Sequence, residues 1–217
     1  MTYAAILSRV QYMLFGDSPT PAPFLAQLVG PNGLIEDACI DIQREEDFWF
    51  MREEVDVELP ADSVLDLETL VPRIKTFKGA ALLDDDGFVL RYLDPISDAE
   101  AKAWGLSRAV APVPLKYSLA GPNIVVYPAL SADTTVRIDC YRYMPALPSD
   151  FTGYSDALSD AAGPCIAARA AYLGAGVLDD DALEARYDAR YREALGELVR
   201  VNMRRRDAST RNAVSRW

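Results

Sequence analysis

Apolar positions recur at steps of three and four in four stretches near the two ends of the chain, and at steps of two in its middle. That change of period predicts helices at both ends and short strands between them. The first helix is expected over Tyr3–Leu14, with Thr2 as its N-cap, Ile6, Val10 and Met13 or Leu14 on one face, and Gly16 as its stop. The proline-rich GDSPTPAPF that follows predicts a stiff, exposed, non-helical connection. A second helix is expected from Gly33 to Phe48, burying Ile35, Cys39 or Ala38, Ile42 and Trp49, and turning outward Glu36, Asp37, Asp41, Glu45 and Glu46. It runs into the aromatic knot FWFM, where the chain should enter another layer.

From Glu53 the alternation Val55, Val57, Leu59 against Asp56 and Glu58 predicts a half-buried strand closed by Pro60. VLDL and LVPRIKTF read as further strands, and ALLDDDGFVLRYL as a hairpin turning at Asp86-Gly87. A brief helix follows, with Ser97 as N-cap and Gly105 as stop. A second hairpin bends around Ala120 to Pro122. A long strand, TTVRIDCYRYMP, then sends Val136, Ile138 and Cys140 to one side and mostly Arg137, Asp139 and Arg142 to the other. Helix returns after Asp150 in an Ala-rich segment carrying Leu158, Ala162, Ile166, Ala170 and Leu173; Gly163-Pro164 is expected to kink or restart it, and Gly174 and Gly176 to stop it.

The strongest periodicity lies in Asp179–Arg206, where Leu183, Tyr187, Tyr191, Leu195, Leu198 and Val201 form one stripe. Asp179–Asp181 at its start and Arg204–Arg206 at its end suit the helix dipole, and its length would be about 40 Å at 1.5 Å per residue. The remaining DASTRNAVSRW is short of core-forming residues; it reads either as a frayed terminus or as an extended arm whose Arg and Trp would anchor a partner. The predicted fold is therefore α+β: a helical bundle from residues 1–49 and 150–206, an inserted antiparallel β-rich module over 50–149, and an extended tail over 207–217.

The formal net charge of −11 argues against a protein that wraps nucleic acid, and suits a surface past which DNA slides without sticking. The chain has no histidine, so Ser-His and Cys-His nucleophile pairs, an imidazole base and the commonest zinc ligand are all excluded. Its three cysteines, Cys39, Cys140 and Cys165, lie far apart in apolar stretches and read as reduced core residues. Neither a signal peptide nor a membrane-spanning segment is expected.

Asp84–Asp86 with Gly87 lacks the alternating ligands and closing glutamate of a calcium loop, and reads as a solvated turn. Glu45, Glu46, Asp47, Glu53 and Glu54 offer enough carboxylates for a two-magnesium site, but nothing in their spacing requires one. Tyr117, Tyr127, Tyr141 and Tyr143 have no accompanying basic groove that would make them a platform for stacked bases. No phosphate loop, nucleophile elbow or dinucleotide fingerprint is present, so neither a cofactor nor a catalytic residue is predicted. The basic run Arg204–Arg206, with Arg211 and Arg216, leaves three uses open: a solvated helix end, a salt-bridged contact with an acidic protein, or a DNA phosphate contact.

The order of elements resembles the head-tail adaptor, or connector, proteins of tailed bacteriophages and gene transfer agents. The resemblance is carried by TYAAILSRVQYML, IEDACIDIQREEDFWF, VDVELPADSVLDL, LRYLDPISDAEAKAW and PLKYSLAGPNIVVYPALSADTTVRIDCYRYMPAL, and by the closing pair ARAAYLG and ALEARYDARYREALGEL. The proline segment after Gly16 and the Gly163-Pro164 step depart from the pattern. The resemblance implies a non-enzymatic virion protein, made in the host cytoplasm and forming a ring of twelve copies. Such a ring joins the portal protein to the next tail component, a stopper, nozzle or tail terminator, and genomic DNA passes through its lumen. It also implies a partner-binding role for Arg204, Arg205, Arg206, Arg211, Arg216 and Trp217. The alternatives are a carboxylate-metal enzyme acting on phosphate esters, using Glu45, Glu46 and Glu54, and a soluble α+β interaction module.

Overall fold

A computed structural model describes the chain except residues 30–31, 61–63, 104–109, 112–113, 132, 149–150, 152 and 215–217; for 64–65, 110–111, 130 and 207–214 it describes the backbone alone. The fold is α+β and divides into two compact units, Met1–Phe50 with Met144–Trp217, and Met51–Tyr143.

The first unit opens with α1 (Tyr3–Phe15), α2 (Ala22–Val29) and α3 (Leu34–Glu45). Thr2 caps α1 as expected, its hydroxyl accepting from the Ala5 N–H, and Gly16 closes the helix at φ 59°. The proline segment is not wholly extended, because α2 starts at Ala22. Pro23 occupies the first turn, where a missing N–H costs nothing and a fixed φ favours helix. α3 ends at Glu45, short of Phe48, and a 3₁₀ turn, Trp49–Met51, leads out of the unit.

In the second unit β1 (Arg52–Leu59) and β2 (Val64–Asp66) precede a single helical turn, α4 (Leu67–Leu70), capped by the Asp66 carboxylate. The unit continues with β3 (Ile74–Leu83), β4 (Val89–Tyr92), β5 (Asp94–Pro95), α5 (Asp98–Ala103), β6 (Val110–Ala111) and β7 (Lys116–Ala120). It closes with β8 (Asn123–Tyr127), β9 (Ala129–Leu130) and β10 (Thr134–Arg142). One antiparallel sheet runs β1-β10-β3-β4 and a second runs β2-β8-β7-β5. β5–β7 and the small pair β6–β9 are parallel, against the all-antiparallel expectation. Only the IKTF part of LVPRIKTF is strand, and it proves to form one long strand, β3, with ALL, whereas Leu70 ends α4.

Alternation decides the faces of the first sheet. Val57, Leu59, Val136, Ile138 and Cys140 enter a core shared with Ile124, Val126 and Tyr117. On the opposite face Arg137 forms a two-pronged pair with its cross-strand neighbour Asp56 (2.7 and 2.9 Å), and Arg52 forms another, diagonally across the ladder, with Asp139 (3.0 and 2.8 Å). Ser97 caps α5 reciprocally with Glu100, as the sequence predicts, whereas the expected stop at Gly105 lies outside the described residues.

The first unit is completed by α6 (Ala157–Val177) and α7 (Asp181–Val214). α6 is unbroken through Gly163-Pro164. Pro164 faces solvent, so water can satisfy the carbonyl that its missing N–H leaves unpaired. Buried Ala162, Ala167, Ala170 and Ala171 let α1, α3 and α7 approach α6 closely. Gly174 does not stop the helix; a Cβ there would lie 2.7 Å from Leu14 Cδ1 and 3.2 Å from Phe24 Cζ, so its bare backbone is a packing surface. Asp156 caps α6 in a box with Ser159, and its carboxylate also accepts from the Tyr3 hydroxyl. Arg169, unremarked in the sequence, binds Asp41 (2.7 Å) between the rings of Tyr172 and Tyr191.

All three cysteines are free and buried. Burial pushes the thiols of Cys39 and Cys165 up from 9.0 to about 12, and that of Cys140 to about 11. Unfolded thiols ionise from about pH 9 while the folded ones hold their protons. This contribution to stability is therefore complete below pH 9 and is lost as pH rises toward 11–12. Urea unfolding is expected to show a falling midpoint above pH 9, and Cys39→Ala is expected to make that fall shallower; a midpoint flat to pH 11 would contradict the linkage.

Candidate functional site

The basic positions of α7 are built up from its buried stripe. Among the residues of this helix whose side chains are described, Tyr187, Tyr191, Leu198 and Asn202 are buried. Tyr187 donates its hydroxyl to the Met13 carbonyl, tying α7 to the end of α1. The stripe expected to end at Val201 turns instead onto Asn202: Val201 is 37% exposed and Asn202 only 1%. The Asn202 amide accepts from the Trp49 N–H (3.0 Å) and donates to the Asp47 carbonyl (3.0 Å), satisfying two backbone groups after α3. A polar residue in an apolar stripe was the one visible signal of this role.

That anchor places the arginines. The Arg205 guanidinium lies over the Trp49 ring at 4.5 Å, and Arg206 reaches Glu46 at 3.6 Å. Arg204 is exposed. Two of the three thus meet the loop after α3 in their own unit while remaining exposed. α7 runs past Arg206 to Val214, where an extended tail is expected. DASTRNAV contains no glycine or proline to stop it, so the hydrogen-bond ladder continues. Arg211 falls on this helical continuation, and Arg216 and Trp217 lie outside the described residues.

Above the same elements α1, α6 and α7 enclose a groove of about 740 Å³. Met13, Trp49, Ala161, Pro164, Leu198 and Val201 contribute apolar surface; Arg9, Arg190, Arg205, Glu193 and Glu197 bring charge. Glu197 is already paired with Arg200.

Carboxylates of the acidic cluster meet other side chains within their own units. Within the first unit Glu46 meets Arg206 and the Glu45 carboxylate lies 3.5 Å from the Tyr191 hydroxyl; within the second, Glu53 meets Arg142 (2.7 Å) and Glu54 meets Arg137 (3.9 Å). Among the described residues no three carboxylates or thiols converge as metal ligands. Asp84 also acts as a turn residue, its carboxylate accepting from the N–H groups of Asp86 and Phe88 (3.0 and 2.8 Å). Tyr117 and Tyr127 are buried as core residues. None of the described helices is long and apolar enough to cross a membrane.

A family model described as SU10 adaptor protein matches residues 1–215. The chain belongs to that family. It is thus a phage adaptor protein, a structural component of the virion. No curated protein matches the sequence of the adaptor. The family match extends through α7 and past Arg211.

Proposed function

We propose that the adaptor assembles as a ring of twelve copies beneath the portal protein, joins it to the next tail component and leaves an open lumen for genomic DNA. The observation that carries this reading is the family match over residues 1–215. The net charge of −11 supports it further, because a negatively charged lumen repels the phosphate backbone and lets DNA pass without being held. The part of the adaptor is mechanical, with no catalytic step.

The partner-binding end of each copy is the stretch from Arg204 onward, with Arg204, Arg211, Arg216 and Trp217 as contact residues. Arg205 and Arg206 have a double role: their stacking on Trp49 and pairing with Glu46 fix the direction in which α7 leaves its unit. A helical end held in this way loses less conformational freedom on binding than an extended arm would.

Co-sedimentation of the full chain with portal rings, followed by mass measurement of the complex, tests the reading. The expected product is one complex with a fixed, whole-number ratio of adaptor to portal; a chain that stays monomeric in the presence of portal rings would overturn the proposal.

A further inference from the structure

Two features of the adaptor are unexplained by its own packing. The first is the β3–β4 hairpin. Its tip carries Asp84, Asp85 and Asp86, and beyond it Phe88, Leu90 and Tyr92 are 70, 62 and 73% exposed. β4 is also an end strand of its sheet. Exposed end strands are usually protected by lysine, proline or a covering element, and three large apolar side chains at this exposure mark a surface that is covered in use. The second is the groove between α1, α6 and α7, whose floor is apolar and whose volume of about 740 Å³ suits several side chains.

The two features match in chemistry. The groove bears Arg9, Arg190 and Arg205, and one of its two glutamates is offset by Arg200, which leaves it locally positive on an acidic protein. The hairpin offers aspartates next to apolar anchors. We propose that the β3–β4 hairpin of one adaptor copy seats in the α1–α6–α7 groove of a second copy, with Phe88 and Leu90 on the apolar floor and Asp85 and Asp86 toward Arg9 and Arg190. Knob and hole are different surfaces of the same chain, so the contact is head-to-tail, the kind from which a closed ring is built. This inference rests on the ring reading above and specifies its subunit contact.

Charge reversal in two separate chains tests it, because Asp85, Asp86, Arg9 and Arg190 are all exposed and their replacement leaves the core intact. One chain carries Asp85→Arg with Asp86→Arg, the other Arg9→Glu with Arg190→Glu. Each alone is expected to assemble on portal rings at least about tenfold less well than the unsubstituted chain, since like charges face each other at every contact. Mixed in equal amounts, the two are expected to recover assembly to within about threefold, because alternating copies restore opposite charges at every contact. A contact within one chain would give no such recovery. Full assembly by either variant alone, or failure of the mixture to recover, would overturn the hairpin contact while leaving the ring reading standing. Failure of the unsubstituted chain to form rings on the portal would overturn both.

Discussion

Asn202→Leu is expected to lower the unfolding free energy of the helical unit by about 2–4 kcal/mol, although leucine is close in volume and suits the stripe around it. The cost arises in the backbone it abandons. The Trp49 N–H and the Asp47 carbonyl, each held at 3.0 Å by the Asn202 amide, would lose their partners where the side chain is 1% exposed. An unsatisfied buried polar group costs roughly 1–3 kcal/mol, which outweighs the modest gain from burying a leucine in place of an amide. Asn202→Asp is expected to fail differently: it retains an acceptor for Trp49 but directs a carboxylate at the Asp47 carbonyl. Urea unfolding followed by tryptophan fluorescence would report both changes, and a Leu variant as stable as the parent would show that Asn202 holds nothing. The same substitution is expected to weaken assembly, since the loop that carries Trp49 and Glu46 would no longer guide Arg205 and Arg206.

Removal of residues 207–217 is expected to leave both units folded and to reduce binding to portal rings by at least about a hundredfold. The residues that anchor α7, from Tyr187 to Asn202, all precede the cut, so no buried side chain among the described residues is lost. What goes is the helical continuation with Arg211 and the end with Arg216 and Trp217, and arginine and tryptophan at the centre of an interface commonly account for several kcal/mol. A loss of about 2.7 kcal/mol is a factor of a hundred. Thermal unfolding separates the two effects, because a merely misfolded truncation would melt early, whereas the expected one melts like the parent and binds poorly. Undiminished binding would remove the end of α7 from the contact.

Much of this was legible in the residues. α1, α3, α5, α6 and α7, both hairpins and the two faces of β10 follow from period, caps and turn residues, because those signals are local. Departures occur where a local rule meets a particular surrounding. Pro23 reads as a breaker but serves the first turn of α2, and Pro164 is tolerated inside α6 because it faces water. Leu67–Leu70 is too short to show a period, and its one signal is the Asp66 cap. The parallel pairs β5–β7 and β6–β9 join segments far apart in sequence and leave no trace in either. Of the candidate site, the arginines stand out by charge, but their partners Trp49 and Glu46 do not. Asn202 shows only as a polar interruption, and the groove belongs to three helices that no single stretch of sequence describes.

On the proposed reading this chain works as one copy in a ring and not alone. Electron micrographs of portal rings incubated with the full adaptor measure this directly. An added annulus of adaptor on one face of the portal, coaxial with it and open at its centre, is the predicted image; bare portals beside free monomers, or an added layer with a closed centre, would contradict it.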